Sequence, residues 1–222
     1  SIHDSTYSWL RLGITLLIGM VANAGMWAVV VVLPAIETEF GAGRAEASLP
    51  YMLTMIGFAV GNLLIGRVVD RFGVTFALIG AAFGIAVGYG LAMIAPTVFT
   101  ISMAHLVLGL GTAVGFGPLI ADISHWFLKR RGIAVALAAS GNYLSGAIWP
   151  TLLADMLADG GWRQAYMTLA IVTLVALIPL SLLLRRRLPD EAHTAAEAAS
   201  ALRARSAGFS PRTLQYILGF AG

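Results

Sequence analysis

The octet Gly66-Arg67-Val68-Val69-Asp70-Arg71-Phe72-Gly73 is the stretch that decides the fold of this chain. It places two arginines and an aspartate in a short turn between two long apolar stretches. Charged side chains are unfavourable in hydrocarbon, so such a turn must lie at a membrane surface or in a protected cavity. The octet therefore predicts two membrane helices joined at one face of the bilayer.

The composition supports a membrane protein. Of the 222 residues, 59% are hydrophobic and only 11% are charged, whereas soluble domains carry about 25% charged residues. The chain has no cysteine, which excludes disulfides and thiolate chemistry. Its basic residues are dispersed, so nucleic-acid binding has no support. It also lacks a nucleotide-binding loop of the Gly-x-x-x-x-Gly-Lys-Ser/Thr type.

Six apolar stretches are long enough to cross a bilayer, for which about 20 residues suffice. Each is continuously apolar rather than alternating, which favours helices over a β-barrel. A polar stretch follows the last of them, and its alanine-rich residues 195–205 are predicted to be helical. The predicted spans cover residues 12–36, 47–66, 74–95, 98–123, 133–154 and 164–184.

Lysine and arginine predict the orientation, because cytoplasmic loops of membrane proteins carry an excess of both. With the amino terminus in the cytoplasm, the inside loops hold every basic residue except Arg44 and Arg163. We therefore expect a multi-pass protein of a bacterial cytoplasmic membrane, with its amino terminus and its long polar segment inside. Trp126 and Trp162 are expected at the membrane interface as belt residues.

The pattern Gly-x-x-x-Asp-Arg-x-Gly between the second and third spans resembles the signature loop of the major facilitator superfamily. The resemblance implies an all-α fold of six transmembrane helices in two inverted three-helix repeats, plus the start of a seventh helix. It assigns residues 1–188 to an amino-terminal transporter half and 189–212 to a cytoplasmic linker. Residues 213–222 would begin a second half, which would be a partner of this one.

The same resemblance implies a cytoplasmic gate. Asp70 would lie against helices of the second half, and Arg71 would support it through a network of charges. The family often has basic residues after the last glycine, where Val74 and Thr75 stand here, so Asp122 is expected to pair with Arg71 or Arg67. The alternative is a solvated turn that merely obeys the charge asymmetry. The gate residues are Gly66, Arg67, Asp70, Arg71, Gly73 and Asp122.

His105 is the only ionisable residue well inside the fourth span. The family often carries Arg-x-x-x-Gly-x-Gly there, and the matching positions are His105, Gly109 and Gly111. Because histidine titrates near pH 6.5, its charge can change under physiological conditions. Two interpretations remain open. His105 contacts an anionic substrate or takes part in proton coupling, or it is a neutral side chain bonded between helices.

The loop from Trp126 to Ala134, followed by Ser140-Gly141 and Pro150, resembles the monocarboxylate and oxalate/formate branch of the family. That branch carries small organic anions, with a proton or by exchange. Its aromatic, acid-containing first-helix signature is not evident, because this chain reads Asn23-Ala24-Gly25-Met26-Trp27. The candidates for contact with substrate or proton are Asn23, Trp27, Tyr51, Met55, His105, Asn142 and Tyr143.

The predicted function is secondary active transport of a small solute by alternating access, with proton coupling or exchange. The leading candidate for the solute is an organic anion such as a monocarboxylate. The alternatives are transport of another small solute, drug efflux, or a six-helix homodimeric pore or assembly subunit. An intramembrane hydrolase built on Ser140 would lack its base, since the sixth span contains no histidine. No enzyme activity, cofactor or metal site is expected.

Overall fold

The computed structural model describes residues 2–186 and 188–206, and all of its regular elements there are helices. The predicted all-α fold is confirmed, while the predicted start of a seventh helix at 213–222 lies outside the described residues. The helices are α1 Thr6–Ala22, α2 Ala24–Phe40, α3 Arg44–Ala47, α4 Leu49–Phe72, α5 Val74–Met93, α6 Val98–Thr112, a 3-10 turn Ala113–Gly115, α7 Gly117–His125, α8 Arg131–Leu183 and α9 Asp190–Ser206.

Five helical stretches are long and apolar enough to cross a membrane, namely Thr6–Phe40, Arg44–Phe72, Val74–Met93, Val98–His125 and Arg131–Leu183. The last has 53 residues, which is about 80 Å of helix at ~1.5 Å per residue. That is more than twice the hydrocarbon thickness of about 30 Å. Gly161 interrupts it with φ 75° and ψ 174°. The stretch therefore accommodates the fifth and sixth predicted spans, and the chain is a multi-pass membrane protein.

Glycines allow α4 and α6 to pack closely. A Cβ atom at Gly57 would collide with the carbonyl oxygen of Leu106, and one at Gly61 would lie 2.7 Å from that of Leu110. On the facing helix, a Cβ atom at Gly109 would collide with the carbonyl oxygen of Thr54. Lipid tails are as apolar as leucine, so helices in a bilayer associate through such close contacts rather than through hydrophobic burial.

The two parts of α8 pack against different helices. Before Gly161, Gly141 lies against α1, where a Cβ atom would approach the carbonyl oxygen of Leu16 to 2.9 Å. After Gly161, the rings of Tyr166 and Tyr89 of α5 lie 5.3 Å apart between centroids. The part of α8 before Gly161 thus packs against α1, and the part after it packs against α5.

The two tryptophans expected at the membrane interface are instead buried, so that prediction is wrong. Trp126 is 1% exposed and Trp162 is 4% exposed. The Nε1 atom of Trp162 donates a hydrogen bond to the carboxylate of Glu39 at 2.6 Å. The ring of Trp126 lies 4.5 Å from the guanidinium carbon of Arg11. Each tryptophan therefore packs against the protein, with Arg11 beside the ring of Trp126 and Glu39 accepting from Trp162, rather than facing the lipid head groups.

The helix predicted at 195–205 is confirmed within α9, which begins earlier, at Asp190. It contacts the bundle near the end of α7. The imidazoles of His193 and His125 stack there, with centroids 4.5 Å apart and ring planes at 22°. The helix α9 therefore lies against the end of the bundle that carries the octet.

Candidate functional site

Two of the membrane-spanning stretches are interrupted near their middles. Asn23 separates α1 from α2 with φ −87° and ψ 2°. Phe116 separates the 3-10 turn from α7 with φ −128° and ψ −88°, and Pro118 stands in the first turn of α7, where its missing N–H is tolerated. Interrupted membrane helices expose backbone polar groups, which occurs where they are buried in protein or line a cavity.

Asn23 links the two interruptions directly. Its side chain is fully buried, and Nδ2 donates hydrogen bonds to the carbonyl oxygens of Gly19 at 2.7 Å and Gly115 at 3.1 Å. Both partners only accept, so the orientation of the amide is determined. Its Oδ1 atom is buried and has no hydrogen-bond partner among the described residues. Asn23 thus joins the first and fourth membrane stretches at mid-depth.

Two tryptophans connect the region of the first interruption to α8, one donating a hydrogen bond to α8 and the other donating from α8. Trp27 Nε1 donates to the backbone carbonyl of Asn142 at 3.2 Å. In the opposite direction, Trp149 Nε1 donates to the backbone carbonyl of Met20 at 2.8 Å. Ser145 donates to the same carbonyl at 2.9 Å. The break after α1 leaves this carbonyl available, and α8 supplies its donors.

The candidate residues Asn23, Trp27 and Asn142 are thereby brought to one region, which we call the mid-membrane patch. The Oδ1 atom of Asn142 is also buried without a hydrogen-bond partner in the described part of the chain. Tyr51 and Tyr143 lie on the surface of the bundle, 41% and 69% exposed. Met55 is partly buried. No hydrogen bond between described residues joins these last three side chains to the patch.

His105 lies in a buried hydrogen-bond chain between helices. Thr54 Oγ1 donates its hydrogen to the carbonyl oxygen of Pro50 at 2.8 Å, so it can only accept from His105 Nδ1, 3.1 Å away. His105 Nε2 then accepts from the Tyr166 hydroxyl at 2.9 Å. Each imidazole nitrogen has one partner in its neutral form. This geometry favours the interhelical interpretation of His105.

The octet forms the end of α4 and a sharp reversal into α5. Gly73 adopts φ 88° and ψ 161°, a conformation that strains any residue with a Cβ atom. Its N–H donates to the carbonyl oxygen of Val69 at 2.7 Å. Arg67, Asp70 and Arg71 are exposed, and none of them forms an ion pair with another described residue.

Asp122 pairs with Arg11, so the predicted pairing with Arg71 or Arg67 is wrong. Arg11 Nη2 lies 2.9 Å from Asp122 Oδ2, and Nε donates to the same oxygen at 3.0 Å. Arg11 Nη1 also donates to the carbonyl oxygens of Leu184 and Arg186 at 3.0 and 3.1 Å. Its side chain is only 2% exposed. Arg11, a residue of α1, is buried in the bundle next to α7, whereas Arg67 and Arg71 are exposed.

Sequence reasoning missed Arg11 as a site residue, although a signal was present. It stands two residues after Trp9, at the edge of an otherwise uncharged stretch. A charge at such a position either reaches water or pairs with a partner inside the protein. Its partner is 111 residues away, so only the folded chain identifies it.

A cavity of about 760 Å³ lies at the end of the bundle that carries the octet. We call it the basic-end cavity. Four of the six predicted gate residues line it, namely Asp70, Arg71, Gly73 and Asp122. Gly66 and Arg67 do not contribute to its lining. Its other lining side chains include Arg11, Phe72, Phe76, Ile79, His125, Arg185, Arg186 and His193.

Asp4 holds the loop after α7 in place. Its carboxylate accepts hydrogen bonds from the backbone N–H groups of Leu128, Lys129 and Arg130 at 3.1, 3.0 and 3.1 Å. Partial burial acts to raise the pKa of Asp4, but these three donors outweigh it and lower the pKa below its ordinary value. The sequence contained no signal for this contact.

The described residues include no group of three or more histidine, aspartate or glutamate side chains placed to hold a metal ion. Among the ionisable groups of the bundle, Arg11 pairs with Asp122, and Asp4 accepts hydrogen bonds from backbone N–H groups.

Comparison with known proteins places the chain in a family. The profile of the Major Facilitator Superfamily matches residues 15–222. The chain is 31% identical to the Fujikurins efflux protein of Gibberella fujikuroi, over 58% of this chain and 28% of that protein. It is 27% identical to the Probable sulfoacetate transporter SauU of Cupriavidus necator, over 73% of this chain and 38% of that protein.

It is also 40% identical to Monocarboxylate transporter 11 of Mus musculus, over 39% of this chain and 21% of that protein. The chain thus spans between 21% and 38% of the length of these three relatives. The profile match covers nearly all of the sequence, including the octet and the two interruptions at Asn23 and Phe116. The chain belongs to the Major Facilitator Superfamily.

Proposed function

We propose that this chain forms the amino-terminal half of a secondary transporter that moves a small solute by alternating access. The observation that carries the proposal is the hydrogen bond between Asn23 and Gly115, which joins two interrupted helices at mid-depth. Interrupted helices near the bilayer midplane are where transporters of this kind bind substrates. Membership of this superfamily supports the proposal and leaves an intramembrane hydrolase without support.

For the substrate we propose a small organic anion, such as a monocarboxylate. The names of two relatives support this class, since they refer to sulfoacetate and to monocarboxylates. The mid-membrane patch supplies amide and indole groups but no cation from the described residues. Their arginines and lysine lie at or beyond the ends of the six predicted spans. A co-transported proton or a cationic group of a second half would have to balance the anion.

The proposed gate lies at the basic end. Asp70 and Arg71 are exposed there, and they are available to meet a second, carboxy-terminal half. Arg11 and Asp122 are paired within this half, so their ion pair would persist while the two halves rock. Only the octet charges would then exchange partners during the cycle.

The proposed orientation has the amino terminus and the basic end in the cytoplasm, following the charge asymmetry. Arg11, Arg71 and Arg185 line one cavity, while Arg163 pairs with Glu39 near the end of α2. The three relatives come from a fungus, a bacterium and a mouse. The proposal therefore concerns a cellular membrane in general rather than a bacterial inner membrane.

Efflux is the second candidate function. It is favoured by the 31% identity to the Fujikurins efflux protein. When the same solute is offered, an imposed proton gradient should drive it in opposite directions for efflux and for anion uptake. One transport assay therefore separates the two functions.

The experiment is solute transport by the full-length protein in proteoliposomes. Labelled acetate, lactate and sulfoacetate are offered at equal concentration, with and without an inwardly directed proton gradient. Uptake above that of protein-free liposomes, raised by the gradient, is the expected result. Asn23→Leu should reduce it at least tenfold, because the bridge between the interrupted helices is lost.

Thr168→Val serves as the control, since the Thr168 hydroxyl is exposed and bonds only to its own helix, at Gln164. Uptake equal to the protein-free background for all three anions would remove the proposed substrate class. Gradient-driven extrusion of a preloaded amphiphilic solute would then favour efflux.

A further inference from the structure

We propose that the basic-end cavity binds the phosphate of an anionic phospholipid head group through Arg71, Arg185 and Arg186. The three arginines come from two separate segments, the octet and the residues that follow α8, and all three line the cavity. The site is distinct from the mid-membrane patch, and it shares Arg71 with the proposed gate.

The cavity has a suitable size. Its volume of about 760 Å³ falls within the range of roughly 300–1,000 Å³ typical of sites for small ligands. It is bounded by the octet, by the end of α7 and by the segment leading into α9, whose His193 contributes to the lining. The imidazole of His193 in α9 stacks on that of His125 in α7. The side of the cavity formed by α9 is therefore attached to the helix bundle.

The charges of the lining favour an anion. Arg11 and Asp122 cancel as an ion pair, and Asp70 offsets only one of the three remaining arginines. Among the described residues, no carboxylate forms an ion pair with Arg71, Arg185 or Arg186. Guanidinium groups bind phosphate oxygens through paired, charge-assisted hydrogen bonds. A phosphate would therefore satisfy donors that have no anionic partner within the described chain.

The rim of the cavity favours a lipid over a soluble phosphate. Phe72 and Phe76 both line the cavity and are 47% and 59% exposed. Their rings lie 5.3 Å apart between centroids where α4 ends and α5 enters the membrane. A head group in the cavity would have its acyl chains beside these rings. Basic pockets beside membrane helices recognise anionic head groups in this manner.

The experiment measures lipid binding to the delipidated full-length protein by native mass spectrometry. Phosphatidic acid and phosphatidylcholine with identical acyl chains are titrated separately. We expect phosphatidic acid to bind more tightly. The double variant Arg185→Gln/Arg186→Gln should weaken its binding roughly 30-fold, since each arginine near the membrane surface contributes about fivefold. Arg44→Gln is the control, because Arg44 is exposed in the short helix α3, away from the cavity.

Arg71→Gln provides a second, independent variant from a different segment, with an expected loss of about fivefold. It keeps the test decisive if the double variant fails to fold, which size-exclusion chromatography and circular dichroism would reveal. Unchanged binding of phosphatidic acid in the folded variants would overturn the proposal. Equal binding of phosphatidylcholine would do the same. Full competition by millimolar inorganic phosphate would replace the lipid with a soluble phosphate as the ligand.

Discussion

The Nε2 atom of His105 lies 2.9 Å from the hydroxyl oxygen of Tyr166, and both side chains are fully buried. The contact ties the fourth membrane stretch to the last part of α8. On its other side, His105 contacts Thr54 of α4. One imidazole thus connects three helices, and it does so as a neutral ring with both nitrogens occupied. A proton added to Nε2 would displace the Tyr166 hydroxyl from its acceptor.

The first prediction concerns His105 and proton coupling. His105→Gln should leave the pH profile of transport unchanged, because the native ring is neutral and glutamine can still donate to one partner and accept from the other. His105→Leu should lower the free energy of unfolding by about 1–3 kcal/mol, since the Tyr166 hydroxyl would be left buried without an acceptor. Proteoliposome uptake between pH 5 and 8 and thermal unfolding in detergent measure the two effects. A shifted pH profile in His105→Gln would instead make the imidazole a proton carrier.

The second prediction concerns the Arg11–Asp122 ion pair. Arg11→Met should destabilise the protein by about 3 kcal/mol, because it leaves the Asp122 carboxylate without its charge partner in a mostly buried position. The double variant Arg11→Met/Asp122→Leu should recover most of that loss, as apolar replacements of buried ion pairs often do. Thermal unfolding of the purified protein checks both.

Arg44→Met is the matched control, since Arg44 is exposed and forms no ion pair with another described residue. If Arg11→Met is as stable as this control, the ion pair contributes nothing to the fold.

The third prediction compares two glycines of the octet. Gly73→Ala should cost about 1–2 kcal/mol, because φ at this position is 88° and a Cβ atom is disfavoured there. Gly66→Ala should be neutral or slightly stabilising, since Gly66 is within α4 and a Cβ atom there would meet nothing within 4 Å. Unfolding midpoints of the two variants, measured side by side, decide the matter. Equal effects would mean that the turn does not depend on the left-handed conformation.

The fourth prediction is a pH dependence at Asp4. The pKa of Asp4 is lowered in the folded state, so the unfolded chain binds the proton more readily. The contribution of Asp4 to stability is therefore present above the ordinary aspartate pKa of about 3.9 and is lost as the pH falls through the lower, folded value. Asp4→Asn should lower stability at pH 7 by an amount of the order of 1 kcal/mol. The difference from the wild type should vanish in acid.

Amide hydrogen exchange gives a local measure of the same contact. The N–H groups of Leu128, Lys129 and Arg130 donate to the Asp4 carboxylate, and their exchange should accelerate in Asp4→Asn. Amides in the middle of α5 serve as the internal control, because they are remote from this loop. Unchanged exchange at the three loop amides would contradict the proposed role of Asp4.

Several features of this protein were determined by the sequence alone. The uncharged stretches predicted the crossings because insertion into hydrocarbon depends on local composition, whatever the rest of the chain does. Asp70, Arg71 and Gly73 identified the turn, since a reversal at a positive φ calls for glycine. The helix at 195–205 likewise followed from local propensity.

Only the tertiary structure decided which polar groups meet. Arg11 reaches Asp122 across 111 residues, and Asn23 reaches Gly115 across 92. Trp126 and Trp162, predicted from the sequence as membrane-interface residues, are buried, and their polar neighbours are Arg11 and Glu39. Inside a bilayer a polar side chain is satisfied by whichever distant segment the packing brings to it. Hydropathy along the chain gives the depth of that side chain, and the helix packing determines its partner.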